Sequence, residues 1–249
     1  MSGWIAVVGL GPGDDDLVTP QVRAALDAAT DLVGYIPYIA RVQPRPGLVL
    51  HPSDNRVELD RAALALDLAA QGRRVALVSS GDPGVFAMAS ALFETLEAGP
   101  DRWRMLDIRI LPGITAMLAA AARAGAPLGH DFCAINLSDN LKPWPLIEKR
   151  LRLAAEADFA IALYNPRSRA RPDGFVRALA LLRATCPEDR LVLLARAVTT
   201  PDEQLHVIPL SAVDPTQVDM RTMVIIGSSQ TRLLAHGRGQ FLYTPRAIA

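Results

Sequence analysis

Four short segments of this sequence have the composition of ligand-facing loops: Gly9-Leu-Gly-Pro-Gly-Asp14, Ser80-Gly-Asp-Pro-Gly84, Pro112-Gly-Ile-Thr-Ala116 and Tyr164-Asn-Pro-Arg-Ser-Arg-Ala-Arg171. Glycine lets backbone come close to a bound molecule, and proline followed by a helix start leaves the first helical amides directed at it. Such loops can bring backbone amides beside a bound molecule. The fourth segment adds Arg167, Arg169 and Arg171, and arginine grips carboxylates in two-pronged fashion. A dinucleotide fingerprint starting at Gly9 fails in register, because it needs glycine where Asp14 stands and Pro12 removes an amide. No Lys-Ser or Lys-Thr completes a P-loop. Asp14-Asp15-Asp16 reads as a solvated acidic loop ahead of a helix, since consecutive side chains diverge and do not enclose a cation.

Each of these loops follows an apolar run. Trp4 to Val8 is a short buried strand, and Thr19-Pro20 then starts a helix with Val22, Ala25, Leu26 and Ala29 on one face. Asp31 to Tyr35 and Leu48 to Leu50 are further strands, and Glu58 to Gln71 is an amphipathic helix closed by Gly72. Arg74 to Ser79 is a strand, Val85 to Glu97 a helix, and Asp107 to Leu111 a strand that meets Pro112-Gly113. This alternation predicts an α/β fold with a parallel sheet, and the first domain as residues 1–112. The second domain, 113–249, alternates strands at 132–138, 159–163 and 191–196 with helices near 145–157 and 175–184. Gln204 to Ile208 and Thr222 to Ile226 follow with no helix between them, which calls for antiparallel pairing and a mixed sheet. The charged tail after Ser229 is expected to be partly ordered surface. In open α/β sheets ligands collect at the carboxyl ends of strands, so the four loops are expected to share one cleft.

The 249 residues carry 26 Lys+Arg against 26 Asp+Glu, so no global field favours nucleic acid or an anionic membrane. No apolar run reaches the ~18 residues of a membrane span, and no leader pattern opens the chain; a cytoplasmic location is expected. Cys133 and Cys186 form no CxxC pair, and the four histidines stand far apart, so no protein-bound metal is expected.

In order and spacing, Val8-Gly-Leu-Gly-Pro-Gly-Asp14, Ser79-Ser-Gly-Asp-Pro-Gly-Val-Phe86 and Pro112-Gly-Ile-Thr-Ala116 resemble the three signatures of the tetrapyrrole (corrin/porphyrin) methylase family. Gly125 to Asp139, Pro143-Trp144 and Tyr164-Asn-Pro-Arg-Ser168 are similar to that family's ring-contracting branch. The resemblance covers nearly the whole chain. It implies two α/β domains with a cofactor cleft between them, a homodimer, S-adenosylmethionine as cofactor with S-adenosylhomocysteine as its product, and methylation at C17 of precorrin-3B to give precorrin-4.

On the same resemblance, Pro12, Gly81, Asp82, Thr115 and Ala116 would hold the amino-acid part and sulfonium of the cofactor, with Tyr164 and Asn165 shaping the adenine pocket. The implied substrate is a macrocycle rich in carboxylates, for which Arg41, Arg56, Lys142, Arg167, Arg169 and Arg171 are the candidate grips. Ring contraction follows methylation by loss of the C20 hydroxyl proton, extrusion of C20 and opening of a lactone. His130 is the first candidate to move that proton, because an imidazole can both take and give one near neutrality, followed by Asp131, Ser138 and Asp139. The competing readings are a family member with another target carbon or a cobalt-containing substrate and, in another class, a dinucleotide-dependent oxidoreductase. The broken glycine fingerprint speaks against the last of these.

Overall fold

A computed structural model describes residues 3–55, 57–168, 170–237 and 239–247. The chain divides into two compact units, Met1–Thr115 and Ala116–Ala249, three residues beyond the boundary read from sequence.

The N-terminal unit runs β1 (Trp4–Gly9), α1 (Pro20–Ala28), β2 (Asp31–Tyr35), α2 (Ile36–Ile39), β3 (Val49–Ser53), α3 (Glu58–Ala70), β4 (Arg74–Ser79), α4 (Met88–Ala98), α5 (Asp101–Arg104) and β5 (Asp107–Leu111). Its five strands form one parallel sheet in the order β3-β2-β4-β1-β5. Every residue of β1 is buried, and the side chains alternate between two cores. Trp4, Ala6 and Val8 pack with Val22, Leu32 and Ile39 on the α1 face, whereas Ile5 and Val7 pack with Ala62, Leu66, Met88 and Leu92 on the α3–α4 face. Helices on both faces are what make the strand an unbroken apolar run. The chain leaves β1 toward β2 and leaves the adjacent β4 toward β5, so the strand order switches between β1 and β4. Their carboxyl ends are the crevice where such sheets accept ligands.

Local chemistry explains most boundaries. The Thr19 hydroxyl accepts the Val22 amide and Pro20 opens α1. Gly72, with φ of +84°, closes α3. Two boundaries differ from the sequence reading by three residues. The β3 strand extends to Ser53 through Pro52, which is tolerated because β3 is an edge strand. The α4 helix starts at Met88 rather than Val85, because the Ser80–Ala87 loop is pinned by Met88 N donating to Ser79 Oγ and Ala89 N to the Pro83 carbonyl.

At the opposite, amino end of this sheet the buried Asp31 carboxylate accepts from Arg73 Nε (2.7 Å) and Thr30 Oγ1 (2.7 Å) and pairs with His51 Nε2 (2.9 Å), so one group ties β2 to β3 and to the start of β4. Burial raises its pKa, but these partners outweigh burial and hold it below the ordinary 3.8. A depressed carboxylate pKa contributes stability above the unfolded value, and this is lost as pH falls through the folded one. We therefore expect Asp31→Asn to cost about 2 kcal/mol at neutral pH. The gap to the native protein should narrow in denaturant titrations below pH 4, and a constant gap would rule the carboxylate out.

The C-terminal unit contains α6 (Ala116–Ala124), β6 (Gly125–Ala126), β7 (Phe132–Asn136), α7 (Trp144–Glu156), β8 (Ala160–Tyr164), α8 (Gly174–Thr185), β9 (Leu191–Arg196), β10 (Gln204–Pro209), β11 (Thr222–Ile226), β12 (Arg232–His236) and β13 (Gly239–Tyr243). Its main sheet has the order β10-β9-β11-β8-β7; β7 and β8 are parallel, and the β8–β11, β11–β9 and β9–β10 pairs are antiparallel. One face of this sheet buries Ile135, Leu163, Leu194 and Val224 against Ile147 and Leu151 of α7 and Phe175 and Leu179 of α8. The expected mixed sheet is present. The tail is more ordered than expected: β12 and β13 form a hairpin, and β13 pairs in parallel with β6 through Leu242–Gly125 and Tyr243–Ala126. The Thr244 hydroxyl closes it by donating to the Pro127 carbonyl at 2.7 Å. The exposed β12 residues carry no inward–outward alternation, so the hairpin left no period-two signal in the sequence.

Candidate active site

In the N-terminal unit three of the four sequence-predicted loops meet at the carboxyl ends of β1, β4 and β5. The first two are stitched together by backbone: Leu10 N donates to the Ser79 carbonyl (2.9 Å), Gly81 N to the Gly11 carbonyl (2.9 Å) and Gly11 N to the Gly81 carbonyl (3.2 Å). The third is drawn in by Asp82, whose Oδ1 accepts Gly84 N at 2.8 Å and whose Oδ2 accepts Gly113 N at 3.0 Å. Backbone approaches backbone so closely that side chains are excluded. A Cβ on Gly9 would stand 2.4 Å from the Gly81 oxygen, and one on Gly113 would stand 2.2 Å from the same atom and 2.7 Å from the Gly9 oxygen. The glycines thus serve the junction of three strand ends.

Around this junction Pro12 and Asp82 are half-buried, Gly81 is buried and Thr115 is 5% exposed. Arg41, expected to grip substrate, is engaged otherwise. Its guanidinium donates to the carbonyls of Leu10 (2.5 Å), Gly11 (3.0 Å) and Gly13 (3.3 Å). Burial lowers its proton affinity, and Asp15 and Tyr38 oppose that. Arg56 lies outside the described residues, as does Arg169. Asp14, Asp15 and Asp16 are exposed, and Asp14 Oδ1 accepts the Asp16 amide.

The C-terminal unit builds a second strand-end group. The chain leaves β7 at Asn136, whose Oδ1 accepts Ser138 N (2.9 Å) and Asn165 Nδ2 (3.1 Å), and leaves β8 at Tyr164, whose carbonyl accepts Leu137 N (2.9 Å). The Tyr164 hydroxyl accepts the amide of Met117 in the first turn of α6 at 3.3 Å. Asn165 has φ of +51°, a backbone state that asparagine tolerates. The loops leaving these two strands also carry Asp139, Lys142, Arg167 and Arg171. Lys142 is half-buried, with its pKa lowered by burial and then by Arg150. Arg167 reaches the Pro215 carbonyl, and Arg171 sits in a tight turn with Ser168. Three candidate cations and two candidate proton-transfer groups therefore share one sheet edge.

His130 and Asp131 do not join them. They precede β7 whereas Ser138 and Asp139 follow it, and five strand residues at ~3.3 Å each separate the pairs by roughly 17 Å. His130 Nδ1 stands 3.7 Å from its neighbour Asp131, whose side chain is exposed, and the Asp131 carbonyl accepts Ala160 N as β8 begins. The sequence reading ranked His130 first and Asp131, Ser138 and Asp139 next; the β7 strand between the two pairs places them at its opposite ends.

Two features at this end of the sheet were invisible in sequence. Asn136 is the brace between β7 and β8. Beyond β9, which runs parallel to β8, Ala197 and Thr199 hold φ of +49° and +65°. A branched residue in that region is strained, and such strain is kept where surrounding structure over-determines it. Here Thr200 Oγ1 donates to the Ala197 carbonyl and the Thr199 amide donates to Glu203, itself paired with Arg123. Nothing in the run Ala-Val-Thr-Thr signals a left-handed backbone.

Among the described residues no group of three or more His, Cys, Asp and Glu is arranged to hold a metal.

The chain is similar to known proteins along nearly its whole length. Residues 5–214 match the family model of the Tetrapyrrole (Corrin/Porphyrin) Methylases. A precorrin-3B C(17)-methyltransferase of Sinorhizobium is 53% identical over 250 residues, covering 100% of this chain and 98% of the relative. A probable cobalt-factor III C(17)-methyltransferase of Salmonella typhimurium is 40% identical, covering 91% and 93%. Among solved structures, the methyltransferase CobJ superposes with a TM-score of 0.94 at 64% identity, covering 98% of this chain and 100% of that one.

Proposed function

The chain belongs to the tetrapyrrole (corrin/porphyrin) methylase family and is a methyltransferase of cobalamin biosynthesis, and on that premise we propose that it methylates precorrin-3B at C17 and contracts the ring to precorrin-4. The observation that carries this reading is the 53% identity to the Sinorhizobium enzyme along the full length of both proteins. S-adenosylmethionine is the methyl donor in this reading, and it supplies an electrophilic methyl group on a sulfonium.

The residues present suit such a ligand. The N-terminal junction offers carbonyl and amide groups on a glycine-rich backbone, with Asp82 already committed to two amides, so a zwitterionic, positively charged ligand meets dipoles rather than a competing ion pair. Pro12, Gly81, Asp82, Thr115 and Ala116 form or brace that backbone. Tyr164 and Asn165 are proposed as walls for the adenine. Methyl transfer to carbon needs in-line approach and exclusion of water more than it needs a strong base, and a rigid backbone junction meets the first requirement.

Lys142, Arg167 and Arg171 are proposed to hold peripheral carboxylates of the macrocycle. As the C17–methyl bond forms and S-adenosylhomocysteine leaves, the C20 hydroxyl must lose its proton. Asp139 is proposed to accept it, with Ser138 hydrogen-bonding beside it, and His130 and Asp131 leave the proposed set for the reason given above. The functional form is proposed to be a homodimer. Among the described residues no helix is long and apolar enough to cross a membrane.

Incubation with precorrin-3B and methyl-labelled S-adenosylmethionine tests the reading. The expected product carries one new methyl at C17 and a contracted ring by mass and NMR; unmethylated substrate, or a methylated product that keeps the ring size, would overturn it. A second substrate is worth the same assay, because the Salmonella relative bears a cobalt-factor name. Turnover is expected to favour the metal-free macrocycle, following the higher identity to the Sinorhizobium protein.

A further inference from the structure

We propose that Arg41 is a positioning residue that moulds the Gly9–Asp14 loop for the cofactor rather than a grip for substrate. The inference rests on the reading that this loop holds S-adenosylmethionine. A loop with glycine at positions 9, 11 and 13 has many backbone states of similar energy, so its shape must be imposed from outside. In this loop the carbonyls of Leu10, Gly11 and Gly13 converge on one guanidinium at 2.5, 3.0 and 3.3 Å. A planar fork with several donors serves three acceptors at once, which a compact ammonium on a flexible stem does less well.

The segment carrying Arg41 is itself anchored. Arg45, four residues on, donates through Nη2 to the carbonyls of Leu26, Asp27 and Ala29 at the end of α1. The segment that follows α2 therefore clasps both the loop that leads into α1 and the carboxyl end of that helix. Three of the five N–H donors of Arg41 are turned to main-chain oxygens, which fixes the guanidinium against the loop. A cavity of about 270 Å³, lined by Leu10, Asp15, Val18, Leu26 and Arg41 among others, opens beside it. Truncation of Arg41 leaves this cavity wider and able to admit a small guanidinium ion.

The test measures S-adenosylhomocysteine binding by calorimetry for the native protein, Arg41→Ala and Arg41→Lys, each with and without millimolar guanidinium chloride, against sodium chloride of equal ionic strength. Arg41→Ala should bind roughly 30-fold more weakly and Arg41→Lys roughly 5-fold more weakly. Guanidinium, but not sodium, should restore most of the loss in Arg41→Ala. In turnover assays KM for S-adenosylmethionine should rise while kcat and KM for the macrocycle stay near native. Native affinity in Arg41→Ala, a loss confined to macrocycle KM, or a loss that guanidinium leaves untouched would each overturn the proposal. Should Arg41→Ala fail to fold, Arg41→Lys carries the test, and native affinity there is the contrary result. If the native protein itself binds no S-adenosylhomocysteine, the cofactor reading fails, and with it the premise of this one.

Discussion

Gly113→Ala is expected to abolish methyl transfer and to lower the unfolding midpoint by about 6–12 °C, the equivalent of about 3 kcal/mol in a chain of this size. The added Cβ would fall 2.2 Å from the Gly81 carbonyl oxygen and 2.7 Å from that of Gly9. Both obstacles are main chain, Gly9 held by the parallel β1–β4 ladder and Gly81 by its bridge to Gly11, so neither can swing aside as a flexible side chain would. The strain has one outlet, movement of the Pro112–Ala116 loop away from the ends of β1 and β4. That movement would pull the Gly113 amide off Asp82 and misplace Thr115 and Ala116. Gly237→Ala, where the new atom meets nothing within 4 Å, is the control. Comparable melting curves and comparable methylation for the two variants would show that the three-strand junction is not needed.

Asp82→Ala is expected to weaken S-adenosylhomocysteine binding about 50-fold and to cost about 2 kcal/mol of stability, because two amides, Gly84 N and Gly113 N, lose one charged acceptor. Asp82→Asn separates the two roles this residue can take. As a brace, the amide oxygen keeps one of the two bonds while its NH2 faces the other donor, so binding and stability should both fall part of the way. If the carboxylate instead acted by its charge on the ligand, Asp82→Asn would lose affinity as fully as Asp82→Ala while keeping most of the stability. Calorimetric affinities and denaturant curves on the three proteins distinguish these outcomes, and the brace predicts that the two losses move together.

The ring contraction proposal gains its shape from the same kind of geometry. The segment from His130 to Asp139 carries several titratable groups, and in one dimension they are neighbours. Folded, five residues of β7 stand between them, and Ser138 and Asp139 are the pair that follows the strand at the end where Asn136 accepts from Ser138 N and Asn165 Nδ2. Arg41 shows the converse effect. By composition it is a cation available for carboxylates, whereas in the fold three main-chain oxygens occupy it.

Much was legible in the residues alone. Continuous apolar runs marked the strands buried on both faces, Thr19-Pro20 and Gly72 marked helix ends, and missing helices between 191 and 226 marked the antiparallel strands. These signals are local: they depend on a few adjacent residues and on whether one face or two meet the core. The loop motifs were legible too, since glycine and proline leave a direct imprint on which backbone states are open. The Ala197–Thr199 strain, the Asn136 brace and the β12–β13 hairpin were not, because each is imposed by partners distant in sequence or lacks a periodic pattern of its own.

By itself, then, the sequence determined an α/β chain with glycine-rich loops at strand ends and a balanced charge. Tertiary structure alone decided that Gly9, Gly81 and Gly113 meet backbone to backbone, that Asp82 binds two loops, and that His130 and Ser138 part company. The physical reason is that strand direction and strand order, not separation along the chain, set which loops share an edge. In the parallel order β3-β2-β4-β1-β5, loops from residues 9, 81 and 113 become neighbours, while residues eight apart across β7 do not.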